Sequence, residues 1–426
     1  MDPALTGTAQ RPAAGHIPPL STANNNQPLS EEEQAKVRQI TDASDSCDYL
    51  ALRGLAASTG GLINDEVRRL VWPVVLGAEK VGAESEADWK ALPSHREESQ
   101  VELDVNRSFV YYPTDESDER IDARKQELSN VITEVLRRHP KISYFQGYHD
   151  IVQVLLLVLG AEAAPAAVER LSLLRIRDFM LPTMTGAISH LQLLPSILRA
   201  ADAELFAHLS QTAPFYFALP ATLTLYAHDI QEYGDIARLF DYLLTNEAVA
   251  SIYLYATIIL SRKAELLSLE ADEHDMLHAI LSKLPKPLNL DSLISRSAAL
   301  HAAHPPTRLG GLTWFTVSRN SVLKTTRDPA SLAAQTLADG ERFFERHASD
   351  VAAQEARERR LKTARRLAVK YRRPAMATGT AVLVAVLAVY LRRVGGVPPS
   401  LSIAGVYQAG LMLRAKALGL LERLFR

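Results

Sequence analysis

From Asp118 to Pro285 the apolar side chains recur every three or four residues, in runs closed by Pro140, Pro182, Pro195, Pro214, Pro220, Gly234 and Pro285. Over Asp118–His139, Ile121, Leu128, Val131, Ile132, Val135 and Leu136 form one stripe against charged residues, the period of an amphipathic helix. Few segments alternate with period two, and this stretch has no Asn-Gly or Asp-Gly pair to turn a hairpin. The run Ile151–Leu159 is strongly apolar and by itself fits a buried strand or a buried helix; its leucines and helical flanks favour helix. The expected fold is all-α, with a multi-helix domain over 30–290 and its core over about 50–290.

The chain has 426 residues, and with 47% of them apolar it can bury a substantial core. A net charge of −2 gives no global attraction to nucleic acid, so a basic feature acts only locally. Cys47 is the only cysteine, which excludes a disulfide framework and fits a reducing compartment. Residues 1–29 are rich in Pro, Ala, Asn and Gln, lack a secretory-signal pattern, and are expected to be disordered. Ser30 and Glu33 have the spacing of a capping box, which predicts a helix over 31–45. Gly60-Gly61 then break the chain, Asn64 or Asp65 caps a helix carrying Val67, Leu70 and Val71, and Pro73 should end or kink it. Residues 79–99 read as a polar surface loop or a short exposed helix. The prolines and the Gly310-Gly311 pair make 291–340 a loosely structured connector, and 341–373 a basic helix running up to Pro374.

Residues 374–391 carry no charge and lie between Arg372-Arg373 and Arg392-Arg393. At about 1.5 Å per residue a helix there covers roughly 27 Å, close to the hydrocarbon thickness of a thin bilayer. The paired arginines and the basic approach segment favour a membrane anchor over a core helix, with the large domain in the cytosol. That basic run suits anionic lipid headgroups better than nucleic acid. The apolar and basic tail 392–426 fits either a second insertion or a helix lying on the membrane surface.

No G-x-x-x-x-G-K-[ST] or G-x-G-x-x-G pattern occurs, so the chain should bind no nucleotide of its own. His274 and His278 have zinc-ligand spacing, but the fuller pattern is missing and an exposed helix face explains them better. Arg68 with Trp72, Asp104 with Arg107, and Gln146 are each unremarkable alone: a core tryptophan beside a surface charge, an i, i+3 ion pair, and a hydrogen bonder at a helix end.

Their order and spacing change this. Arg68-x-x-x-Trp72, then Val101-x-x-Asp104-x-x-Arg107, then Tyr144-x-Gln146-Gly147 resembles the signature of TBC-domain GTPase-activating proteins, which act on Rab GTPases. Leu136–Pro140, Tyr144–Ile151 and Leu171–Met184 resemble the branch of that family anchored in the endoplasmic reticulum membrane. The resemblance implies an all-α, multi-helix TBC (Rab-GAP) domain followed by a C-terminal transmembrane helix. It implies a catalytic activator of a partner's hydrolysis rather than a stand-alone enzyme, with no cofactor of its own, acting on GTP and magnesium held by a Rab in its GTP-bound form. The Rab of ER-to-Golgi transport is the expected target, at an endoplasmic reticulum or early Golgi membrane. Arg107 matches the arginine finger, which would stabilise charge on the transferred phosphoryl group, and Gln146 the glutamine finger, which would orient the attacking water. Asp104 and Arg68 match supporting positions expected to pair and hold the finger-bearing loop, with Trp72 packed beneath. Tyr144 and Gly147 would shape the glutamine turn, and Asp150 would support it from behind or face the core. Val101 and His149 depart from the residues commoner in the family, isoleucine and asparagine. A membrane-anchored Rab-binding adaptor without catalysis, or a membrane-shaping protein, are the competing expectations.

Overall fold

The computed structural model describes residues 28–78, 88–114, 116–210 and 215–393. The expectations for 1–27, for 79–87 and for the tail from 394 onward lie outside the described residues. Helix is the regular structure of the described residues, with no strand among them, so the all-α expectation holds. The chain divides into two compact units, one ending at Val351 and the other beginning at Ala352.

In the first unit, α1 (Glu31–Asp45) opens on the anticipated capping box: Ser30 accepts from the Glu33 N–H, and the Glu33 side chain accepts from the Ser30 N–H. After α2 (Tyr49–Ala57) comes α3 (Asp65–Leu76), capped by the Asn64 side chain on the Val67 N–H. Pro73 does not end α3, which runs on to Leu76 and closes at Gly77 in the left-handed region. A proline removes one hydrogen bond from a helix. Here the buried Val71, Trp72, Val74 and Val75 hold the turns on either side.

The short α4 (Glu98–Val105) and the long α5 (Asp118–Arg138) lead to α6 (Tyr148–Leu174), the central helix, against which α5 and α3 pack. α6 is long and apolar enough to cross a membrane, but 72% of its apolar window is buried inside the unit, which makes it a core helix. Gly160 (φ 79°, ψ 168°) interrupts its helical dihedrals and kinks it. Tyr233–Thr245 packs across α2 and α3, and Ala250–Ser261 completes the core.

The expected loose connector over 291–340 is corrected. Leu290–Ala303 is a helix capped by Asn289, it packs on Ala250–Ser261, and Ile294 and Ser297 are fully buried. Further on, Trp314, Ser321, Val322 and Leu323 are buried, and Asp178 accepts from the Val322 N–H at 3.1 Å. The prolines there are punctuation between packed pieces, so the folded unit reaches Val351 rather than stopping near 290.

The helix Leu337–Arg393 begins in this unit, where Phe344 and His347 are buried. Pro374 was expected to close the basic helix, yet the helix runs through it to Arg393. In the second unit Gly379–Tyr390 of that helix is apolar.

Candidate functional site

α4 buries Val101 and Val105 on the unit's interior, which carries Asp104 to full burial in its last turn. Asp104 accepts from three side chains: Gln100 Nε2 at 3.0 Å, Tyr144 Oη at 2.9 Å and the guanidinium of Arg107. Arg107 lies just past the helix end, its own N–H still bonded to the Asp104 carbonyl at 3.1 Å, and its side chain is 65% exposed. A buried carboxylate therefore fixes one edge of a guanidinium whose remaining donors face outward. Beyond it Phe109 sits in the left-handed region (φ 62°), and its N–H donates to the buried Gln153 Oε1 at 3.1 Å. Gln153, on α6, thus pins the turn that follows Arg107.

The second turn is anchored by the Ser143 N–H on the Met180 carbonyl (2.8 Å) and the Tyr144 N–H on Glu97 Oε2 (2.6 Å). Tyr144 and Phe145 are buried; Gln146 between them and α6 is exposed. Gly147 follows with φ 98°, and a Cβ there would sit 2.5 Å from Thr224 Cγ2, so both backbone and space call for glycine. The tight turn aims Gln146 outward as α6 begins. Asp150 lies in the first turn of α6, where a carboxylate complements the helix dipole. It is neither solvent-free nor core-facing: it pairs with His228 at 3.1 Å and His149 at 3.3 Å. The hydrogen bond to Asp150 raises the His228 pKa above the ordinary histidine value. Burial raises that of Tyr144, with the Asp104 charge adding to it, so the phenol stays a donor.

The two turns converge. Arg107 and Gln146 line one groove of about 570 Å³, floored by Phe109, Gln153 and Thr224. Exposed Val110, Tyr111 and Met184 lie along it.

Arg68 and Trp72 do not line this groove. The expected Arg68–Asp104 pairing does not form, because each has another partner within its own packing layer. Arg68 is held by Asp241, Nε to Oδ1 and Nη2 to Oδ2 at 3.0 Å each, and by Asp65 at 2.8 Å. Trp72 is fully buried and donates its Nε1–H to Asp241 Oδ1 at 3.0 Å, and the Leu62 N–H reaches Oδ2 at 3.0 Å. Burial opposes the Arg68 charge, but Asp241 outweighs it and the guanidinium pKa is raised. Asp241 was not singled out from sequence, nor was Gln153. The signal for both is a lone polar residue inside an apolar run, Leu239-Phe240-Asp241-Tyr242-Leu243 and Ile151-Val152-Gln153-Val154.

An exposed guanidinium and an exposed amide in one open groove form a site that can act on a group presented by another macromolecule. Residues 65–267 match the Rab-GTPase-TBC domain family, a span that holds every residue lining the groove. The human TBC1 domain family member 20 is 35% identical over 284 residues, covering 66% of this chain and 70% of that protein. The GTPase-activating protein gyp10 of Schizosaccharomyces pombe is 31% identical over 286 residues, covering 66% and 76%. The GTPase-activating protein GYP8 of Saccharomyces cerevisiae is 25% identical over 269 residues, covering 56% and 53%. The chain belongs to the Rab-GTPase-TBC domain family.

Proposed function

We propose that this protein is a GTPase-activating protein for a Rab GTPase, and that Arg107 and Gln146 enter the partner's nucleotide site together. The observation that carries the reading is their placement: two turns from distant parts of the chain bring an exposed guanidinium and an exposed amide to one groove. Arg107 neutralises charge developing on the γ-phosphoryl oxygens, for which a permanently charged fork of donors is suited. Gln146 accepts from and donates to the attacking water, and so aligns it with the phosphorus. Asp104 holds Arg107 in its extended position, while Tyr144 and Gly147 hold the glutamine turn. GTP and magnesium are the partner's, in its GTP-bound state. Two relatives bear the name GTPase-activating protein, in agreement with this reading.

Membrane attachment through 374–391 belongs to the same proposal. Leu383, Val386 and Tyr390 are each more than 60% exposed, an apolar surface suited to lipid. Attachment at an early secretory membrane, and the Rab of ER-to-Golgi transport as target, rest on the sequence resemblance. Confinement to the partner's membrane raises the effective concentration of each for the other.

The test is GTP hydrolysis by a panel of GTP-loaded Rabs with the full chain in detergent. At least one Rab should be accelerated, and Arg107→Ala or Gln146→Ala should remove the acceleration. Tight binding to a GTP-loaded Rab with no change in rate would overturn the catalytic reading.

A further inference from the structure

The segment 305–320 leaves two large apolar side chains in water. Leu312 and Phe315 are 74% and 68% exposed, although their neighbours Leu309, Trp314 and Val317 are buried in the first unit. The Phe315 and Thr316 N–H groups both donate to the Leu312 carbonyl, at 2.9 and 3.0 Å, which closes the short helix Thr313–Thr316. Residues three apart on such a turn share a face. Trp314 roots the turn, with the Lys324 ammonium 5.5 Å and the Arg327 guanidinium 5.8 Å from its ring centroid. A lone exposed leucine carries no meaning, but here the fold buries the tryptophan and holds a leucine and a phenylalanine out together.

The charge around the pair has one sign. From Pro305 to Arg327 the chain holds Arg308, Arg319, Lys324 and Arg327 and no carboxylate. Lys324 and Arg327 turn to Trp314, whereas Arg308 and Arg319, before and after the apolar pair, are exposed. Ser318 Oγ and Asn320 Nδ2 both donate to Asp350 Oδ2, at 2.9 and 3.2 Å. Asp350 lies one residue before the first unit ends at Val351. The segment is therefore fastened where the helix Leu337–Arg393 leaves that unit, and residues 352–373 beyond are strongly basic.

We propose that Leu312 and Phe315 insert into the interface of an anionic bilayer, with Arg308 and Arg319 on the lipid phosphates, so that the folded unit has a membrane contact of its own. This rests on the membrane-attachment reading and is independent of the catalytic one. Apolar tips beside arginines match an acyl boundary lying under negatively charged headgroups. A protein partner fits less well. A stable protein interface buries about 1,200–2,000 Å² in total, of which two side chains on one turn supply a small part. A bilayer takes each apolar side chain singly.

The test uses the full chain with the exposed Cys47 replaced, Cys47→Ser, in nanodiscs of phosphatidylcholine alone or with phosphatidylserine. A nitrobenzoxadiazole label goes on Thr316→Cys, an exposed position that leaves Leu312 and Phe315 in place. Its emission should shift to the blue and rise several-fold in the anionic discs, and spin-labelled lipid should quench it. Leu312→Asp with Phe315→Asp should return it to the emission seen in water, and Arg308→Gln with Arg319→Gln should remove the difference between the two lipid compositions. A label on the exposed Leu103→Cys of α4 should report water throughout. A label at 316 that matches the one at 103 in anionic discs overturns the proposal. So does one that stays in water on the bilayer and shifts only when a GTP-loaded Rab is added, which assigns the pair to a protein partner. A label on Leu383→Cys reads the attachment separately: lipid-embedded there with water at 316 overturns the loop contact alone, and water at both positions overturns the attachment reading as well.

Discussion

Two arginine–aspartate pairs, built from the same side chains, sit in opposite settings. Arg68 and Asp241 are 6% and 0% exposed, and every acceptor position of the carboxylate is matched by Arg68, Trp72 or the Leu62 N–H. Arg107 and Asp104 are 65% and 0% exposed, so the carboxylate is as buried but the guanidinium is left mostly in water. In the first pair the charge is consumed by the fold. In the second the fold supplies only an anchor, and the charge remains available to something outside. On the proposed reading, burial of the arginine, rather than its presence, separates the pair that serves the fold from the pair that serves the partner.

The comparison is most sharply tested by removing one member of each pair. Arg107→Ala should lower the accelerated rate by about 10³–10⁵, roughly 4–7 kcal/mol of barrier, with a loss of stability smaller than that of Asp241→Ala, because the buried Asp104 keeps its Gln100 and Tyr144 donors. Asp241→Ala should do the reverse. It leaves the buried Arg68 with Asp65 alone and takes the acceptor from Trp72 and the Leu62 N–H, and should cost about 3–5 kcal/mol of stability, read from chemical denaturation, with the rate per folded molecule little altered. If Arg107→Ala unfolded the protein, or Asp241→Ala removed acceleration while leaving stability intact, the division would be wrong.

Gly147→Ala comes next in size. The left-handed φ of 98° and the 2.5 Å approach to Thr224 Cγ2 both resist a methyl group. Strain of this kind costs about 1–3 kcal/mol. Because the turn carries Gln146, the rate should fall more than stability does. Thr224→Ser removes the methyl that the new Cβ would meet and should recover part of the loss. Equal losses with and without Thr224→Ser would place the cost in the backbone conformation alone.

Local patterns were readable from sequence wherever a single helix decides them. The Ser30–Glu33 box, the α5 stripe and the helical character of Ile151–Leu159 depend on neighbours three or four residues away. Pro73 does not end α3 and Pro374 does not interrupt the last helix, because losing one hydrogen bond does not end a helix held by the turns around it. The packing of 291–340 was hidden because its buried residues meet partners far away in the chain, as Val322 meets Asp178. The site divides in the same way. Arg107 and Gln146 were found by motif, yet no periodicity could show that their turns share a groove. Asp241 and Gln153 went unread because a polar residue in an apolar run discloses its partner only in the folded chain.

The smallest predicted effect concerns a third kind of pair, one that pH can switch. His139 caps α5 and is 7% exposed, with Nε2 at 2.7 Å from Glu169 Oε1 and Nδ1 at 2.8 Å from Glu341 Oε1. Burial works against its charge, but the two carboxylates outweigh burial and raise its pKa. A raised folded-state pKa means the folded chain binds the proton more tightly than the unfolded chain. The stabilisation is then fully present below the unfolded histidine value, about 6.5, and is lost as pH rises through the folded value. Because Glu341 is half-exposed, solvent screening keeps the whole effect near 1 kcal/mol. Thermal midpoints of the unsubstituted protein and His139→Gln should therefore differ most at about pH 5.5 and draw together toward about pH 8.5. Glu341→Gln should narrow the acid-side difference without touching the rate of hydrolysis per folded molecule. A difference that stays constant across the range would mean that a neutral imidazole makes the same contacts. His139 would then join Arg68 as a fixed part of the fold rather than a titrating one.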